Sequence, residues 1–223
     1  MKNWFKRGFD AGSAAMEKER KAKESGGKRS PAGNRFWMPK DSEKSVVFLT
    51  EEPFIYLEHN WKSGSSYRNW GTCMSPLDEP CGYCDLSFNK YQAAAFTVVD
   101  CSPWTDKDGN EHRFTKRLFI AKSGVWETIE RKRRLLKEDG HTLRGAAFRI
   151  FRGKDPKSPG VGEDFEFRKM IDLDNWEFKD TDDYDFAEIL MPNVDAMNEV
   201  VTQFGGAPVG AASAAPVLDD PPF

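Results

Sequence analysis

The sequence predicts a mainly β fold, on three observations. Short runs rich in Val, Ile, Phe, Tyr and Thr recur through the middle of the chain, turn-forming residues separate them, and the clearest helical period is confined to residues 123–138. The patterned core begins near Phe36 and Trp37. Residues 45–50 and 53–58 are strand-like. Residues 59–90 lack periodicity but contain turn formers, His59 and three cysteines, and predict a metal-organised loop. Strand character returns at 93–100, and a turn signal at 106–110 joins it to 111–121 as a hairpin. In 123–138, Val125, Trp126, Ile129, Leu135 and Leu136 recur at helical spacing, and Gly140 stops the helix. Residues 146–152 and 165–173 alternate as strands around a Gly/Pro/Lys loop. Residues 182–204 predict an acidic helix interrupted near Pro192, and 205–216 are Gly, Ala, Pro and Ser in the manner of a linker. About six short strands with one interposed helix suit a small Greek-key barrel of the OB type. The organisation that follows is a basic arm (1–34), a core (35–175), an acidic helical segment (176–204), and a linker with an acidic tip (205–223).

Composition narrows the function classes. A mean hydropathy of -0.68 with 31% charged residues predicts a soluble chain. No run approaches the roughly 18 apolar residues of a membrane span, and the N-terminus lacks the apolar stretch of a secretory signal. The net charge of -3 hides an asymmetry: residues 1–40 hold 11 Lys/Arg against 4 Asp/Glu, and residues 172–223 hold 1 against 12. A basic arm and an acidic tail on one core suit a polyanion binder that screens its own site. An enzyme is not expected, because the acidic residues form no metal-catalysis cluster and only three histidines exist.

Four cysteines in a chain read as unsecreted favour reduced thiols and metal over disulfides. Cys73, Cys81 and Cys84 stand in a Cys-x7-Cys-x2-Cys arrangement, with His59 14 positions upstream of the first. A Cys-x2-Cys turn aims two thiolates at one side of a metal, and two ligands from another segment complete a tetrahedron. His59 is favoured as the fourth ligand over Cys101, with His112 and His141 behind. Closed coordination of this kind makes the metal, read as Zn2+, a structural staple. By analogy with zinc peptides it contributes roughly 10 kcal/mol or more to ordering the loop.

Cations and rings interleave along the core, as unpaired nucleic acid requires: phosphates need charge and bases need exposed rings. Trp61, Tyr67 and Trp70, set among Gly, Ser and Asn, are the expected stacking platforms, with Lys62 and Arg68 beside them. Arg113, Lys116 and Arg117, followed by Arg131, Lys132, Arg133 and Arg134, are the expected phosphate contacts. Phe114, Phe119, Phe148 and Phe151 are read as core.

These residues carry a family resemblance. Val47-Phe48-Leu49, Tyr56-Leu57-Glu58-His59, the Cys73 and Cys81-Gly82-Tyr83-Cys84 cluster, Phe96-Thr97-Val98-Val99-Asp100, Phe148-Arg149-Ile150-Phe151-Arg152-Gly153 and the 160–167 stretch make the core similar to the zinc-containing single-stranded-DNA-binding proteins of tailed bacteriophages. The resemblance implies an OB fold, zinc held by His59, Cys73, Cys81 and Cys84, and binding of single strands without sequence preference. Replication, recombination or repair in the cytoplasm of an infected bacterium follows, with self-association on DNA. The last five residues, with Asp219, Asp220 and Phe223, are similar to the acidic tips of bacterial single-strand-binding proteins, although Pro221 stands where those tips carry Ile. They imply recruitment of a polymerase, helicase or primase. The competing expectation is a zinc-ribbon transcription or adaptor protein that binds duplex DNA or protein.

Overall fold

The computed structural model describes residues 34–63, 66–105, 109–206 and 209. Among the described residues nine strands run in the order β1 (Ser42–Phe48), β2 (Phe54–Ser63), β3 (Ser66–Thr72), β4 (Asn89–Asp100), β5 (Trp104–Thr105), β6 (Glu111–His112), β7 (Thr115–Ala121), β8 (Ala146–Arg152) and β9 (Asp164–Met170). The helices are α1 (Gly82–Asp85), α2 (Ser123–Glu138), α3 (Phe186–Ile189) and α4 (Val194–Gln203). The protein is thus mainly antiparallel β with few helices. No described helix is long and apolar enough to cross a membrane.

Strand β4 organises the main sheet. Eight successive residues, from Ala93 to Asp100, are buried because the strand is covered on both faces. Ala94, Phe96 and Val98 enter one core with Phe48, Phe119, Phe148, Phe165 and the α2 residues Val125, Ile129 and Leu136. Ala93 and Ala95 point the other way, against Tyr56, Ile120, Phe186 and Leu190. One edge of β4 pairs with β2 over 89–95 and then with β1 over 98–100, while β7 takes the other edge over 94–100. Strand β8 returns after α2 to pair with β1, which gives the spatial order β8-β1-β4-β7. Among the described residues no pairing joins β7 to β9, and the sheet is not closed into a barrel. The segment 34–38 runs beside β7 instead. Phe36 donates to the Leu118 carbonyl, and Met38 donates to the Gly160 carbonyl in the loop preceding β9. That loop turns tightly at Gly162, where φ is +91° and a Cβ would lie 2.2 Å from Ile150.

Several expectations meet the structure directly. Helix α2 occupies the predicted span and ends at Gly140, whose φ of +75° suits glycine. Its Leu135, however, is 50% exposed, and only Leu136 of that pair is buried. Phe119 and Phe148 are core residues, whereas Phe114 is half-buried with Trp176 and Phe178, and half-buried Phe151 lies beneath Arg149. The largest difference is at 59–72, read as loop. There β2 continues to Ser63 and returns as β3, paired from Glu58–Thr72 to Ser63–Ser66. Backbone pairing sustains the hairpin although β3 is polar and has no alternating apolar pattern.

Candidate metal centre and cleft

Alternation along β2 separates two sites. Leu57, His59 and Trp61 face a third apolar cluster, formed with Cys73, Met74, Cys81, Tyr83, Phe88 and the α4 residues Met197 and Val201. His59 Nδ1 lies 3.1 Å from the Phe88 carbonyl oxygen. A proton on Nδ1 satisfies that contact and leaves Nε2 as the lone-pair nitrogen. Nε2 lies 3.4 Å from Cys84 Sγ and 3.7 Å from Cys81 Sγ, and Cys73 Sγ is 3.7 Å from Cys84 Sγ. All four ligand atoms lie within 4.8 Å of one another. A tetrahedral ion with bonds of about 2.3 Å to sulfur and 2.0–2.1 Å to nitrogen would put its ligands roughly 3.5–3.8 Å apart. The cluster therefore fits a structural metal. Cys81 precedes α1, and its carbonyl accepts from the Cys84 amide at 2.8 Å, which turns both thiols to one side.

The thiols bear on one another. Burial opposes ionisation of Cys73, but hydrogen bonds from Ser75 and the neighbouring thiols outweigh it and lower the pKa. Cys84 is pushed up to about 12 by burial and by the adjacent sulfurs. Burial also lowers the pKa of His59, which favours the neutral ligand form. Cys101, the alternative fourth ligand, lies outside the cluster, and its thiol faces the Val99 carbonyl. His112 stacks on Trp104, and His141 lies against Phe167.

Glu58 and Asn60, on the opposite face of β2, line a cleft of about 720 Å³. Its lining includes Arg35, Trp37, Glu58, Asn60, Trp70, Tyr91, Lys122 and Lys157. Three rings there are each accompanied by a cation. The Arg35 guanidinium is 4.1 Å from the Trp70 ring centre, Lys122 Nζ 3.8 Å from that of Tyr91, and the Arg152 guanidinium 5.5 Å from that of Trp37. Trp37 is half exposed. Burial lowers the pKa of Lys122; the Glu58 carboxylate opposes this, and the nearby Arg35 charge adds to it. The amino end of α2 also reaches the cleft, at Gly124 and Val125. Its N-cap, Lys122, makes no side-chain capping bond, so the helix presents amide donors and the positive end of its dipole there.

The expected DNA contacts fall in different places. Trp61 is a correction: it is buried, stacked with Tyr83 at 5.0 Å and Phe88 at 5.3 Å, because two residues beyond His59 it shares the histidine's inward face. Trp70 lines the cleft, and Lys62 is exposed near the hairpin end. The Tyr67 and Arg68 side chains lie outside what the structure describes, as do Asp219, Asp220 and Phe223. None of the β7 and α2 cations lines the cleft. Lys116 pairs with Asp180, Arg117 donates to Asn34, and Arg133 pairs with Glu130 and Glu52. Arg113, Arg131 and Arg134 are exposed and Lys132 is half-buried. The sequence reading missed Arg35, Trp37, Glu58, Tyr91, Lys122 and Lys157. An acid directly after the apolar run 54–57, at Glu58, was the one local signal. No family model and no curated protein matches the chain.

Proposed function

We propose that the protein is a non-catalytic, sequence-independent single-stranded-DNA-binding protein, with an OB-type core and structural zinc at His59, Cys73, Cys81 and Cys84. The observation that carries this reading is the cleft, where Trp37, Trp70 and Tyr91 each sit with a cation beside an uncapped helix terminus. Rings stack on any unpaired base, and Lys122, Lys157 and the helix amides meet its phosphates. The strand order β8-β1-β4-β7, with α2 between β7 and β8, supports the OB assignment. The Cys3His donor set supports zinc.

Coating of single strands displaces the duplex equilibrium by mass action. In this reading the protein serves phage replication, recombination or repair in the bacterial cytoplasm and self-associates on DNA. Its acidic tip, through Asp219, Asp220 and Phe223, recruits a polymerase, helicase or primase; the resemblance at sequence level supports these roles. The deciding experiment is a fluorescence titration with oligo-dT and with duplex at two salt concentrations. Preference for oligo-dT is expected, with log K falling by about 0.7 per phosphate neutralised for each decade of salt. Trp70→Ala should weaken binding roughly 5- to 150-fold if one base stacks there. Preference for duplex would overturn the reading in favour of a zinc-ribbon transcription or adaptor protein.

A further inference from the structure

Glu58 is out of place in a groove for a polyanion. The residue is 1% exposed on β2 and lines the cleft. Its carboxylate accepts from both terminal nitrogens of Arg35, from the Tyr56 hydroxyl at 2.7 Å and from the Tyr91 hydroxyl. Buried ion pairs are weak stabilisers, because desolvation offsets most of the attraction, and a negative charge here opposes phosphate. Its value to the cleft lies in what the donors carry. Arg35 accompanies Trp70, and Tyr91 accompanies Lys122. One carboxylate thereby ties the Trp70 wall to the Tyr91 and Lys122 wall. Arg35 also belongs to the segment bearing Trp37, so the same ion pair joins that segment to the sheet. Burial opposes the charge of Arg35, but its hydrogen bond to Glu58 and the carboxylate's charge outweigh this and raise its pKa.

Resting on the single-strand reading, we propose that Glu58 is the positioning residue of the cleft: without contacting nucleic acid, it fixes the Arg35–Trp70 and Lys122–Tyr91 pairs in the geometry that receives stacked bases.

The sign of one substitution tests this. Glu58→Gln keeps the shape of the side chain and removes a negative charge from the groove. If Glu58 acted only through its charge, oligo-dT would bind the variant more tightly. Positioning gives the opposite result, a loss of about fivefold or more, and Trp70→Ala then costs less in the Glu58→Gln background than in the wild type. Affinities are compared on full-length protein with equal zinc content and the same far-ultraviolet circular dichroism, which a merely structural effect would alter. Equal or tighter binding by a folded Glu58→Gln protein overturns the proposal while leaving the single-strand reading intact. A wild-type protein that does not bind oligo-dT overturns both. Should Glu58→Gln fail to fold, Tyr91→Phe decides. It removes one donor and keeps the ring, so weaker binding is expected and unchanged binding overturns the proposal.

Discussion

Gly71 faces His59 across the β2–β3 pair, and a Cβ on it would lie 2.4 Å from the Tyr83 ring. Its absence lets Tyr83 stack on Trp61 and back the metal centre. Gly71→Ala should displace that stack and cost about 1–3 kcal/mol, as overpacking does; thermal unfolding would show it. His59 gives the centre a pH dependence of known sign. Its folded pKa lies below the ordinary value of about 6.5, so the unfolded chain binds the proton more readily. The associated stability is present above about pH 6.5 and is lost as pH falls through the lower folded value. Metal bound at Nε2 strengthens this trend. Release of the bound metal to a chromophoric chelator should therefore accelerate on acidification below about pH 6. A release rate independent of pH from 7 to 5 would exclude His59 as a ligand.

Among the elements, α2 and α4 carry opposite tasks. Gly124, in the first turn of α2, has open space where a Cβ would go and lines the cleft. Gly124→Asp places a carboxylate at the positive end of the helix dipole and removes a glycine from the helix. It should raise stability by about 0.5–2 kcal/mol while weakening oligo-dT binding, because the acid occupies the position proposed for phosphate. Concordant changes in denaturant midpoint and affinity would contradict the site. Helix α4 instead seats Met197 and Val201 on the metal loop, with Val201 against Gly82. Asn193 caps it by accepting from the Ala196 amide at 2.9 Å. Val201→Asp would bury an unpaired charge there, and loss of bound metal in equilibrium dialysis is the expected outcome.

At the scale of the whole molecule, the acidic C-terminal residues and the cleft have opposite charge preferences. If the tail screens the site, deletion of 205–223 should tighten oligo-dT binding, most at low salt; unchanged affinity would count against self-screening. Legibility followed locality. The Cys81–Cys84 turn and the 16 residues of α2 are written in adjacent spacing, so both were readable. His59 was readable as one option, and the structure separated it from Cys101 by placing only His59 beside the thiols. The β2–β3 hairpin was not read, although Leu57, His59 and Trp61 alternate with Glu58, Asn60 and Lys62, since the polar β3 that pairs with them carries no apolar rhythm of its own. The burial of Trp61 was missed for the same reason. The cleft joins residues as distant in sequence as Arg35, Tyr91 and Lys157, and only chain reversal brings them together. The sequence by itself determined the β class, the long helix, the charge asymmetry and the thiol spacing, because each depends on neighbours along the chain. The tertiary structure decided which ring is buried and which is presented, and which cations share a surface, because those depend on strand register and on which face of β2 each side chain occupies.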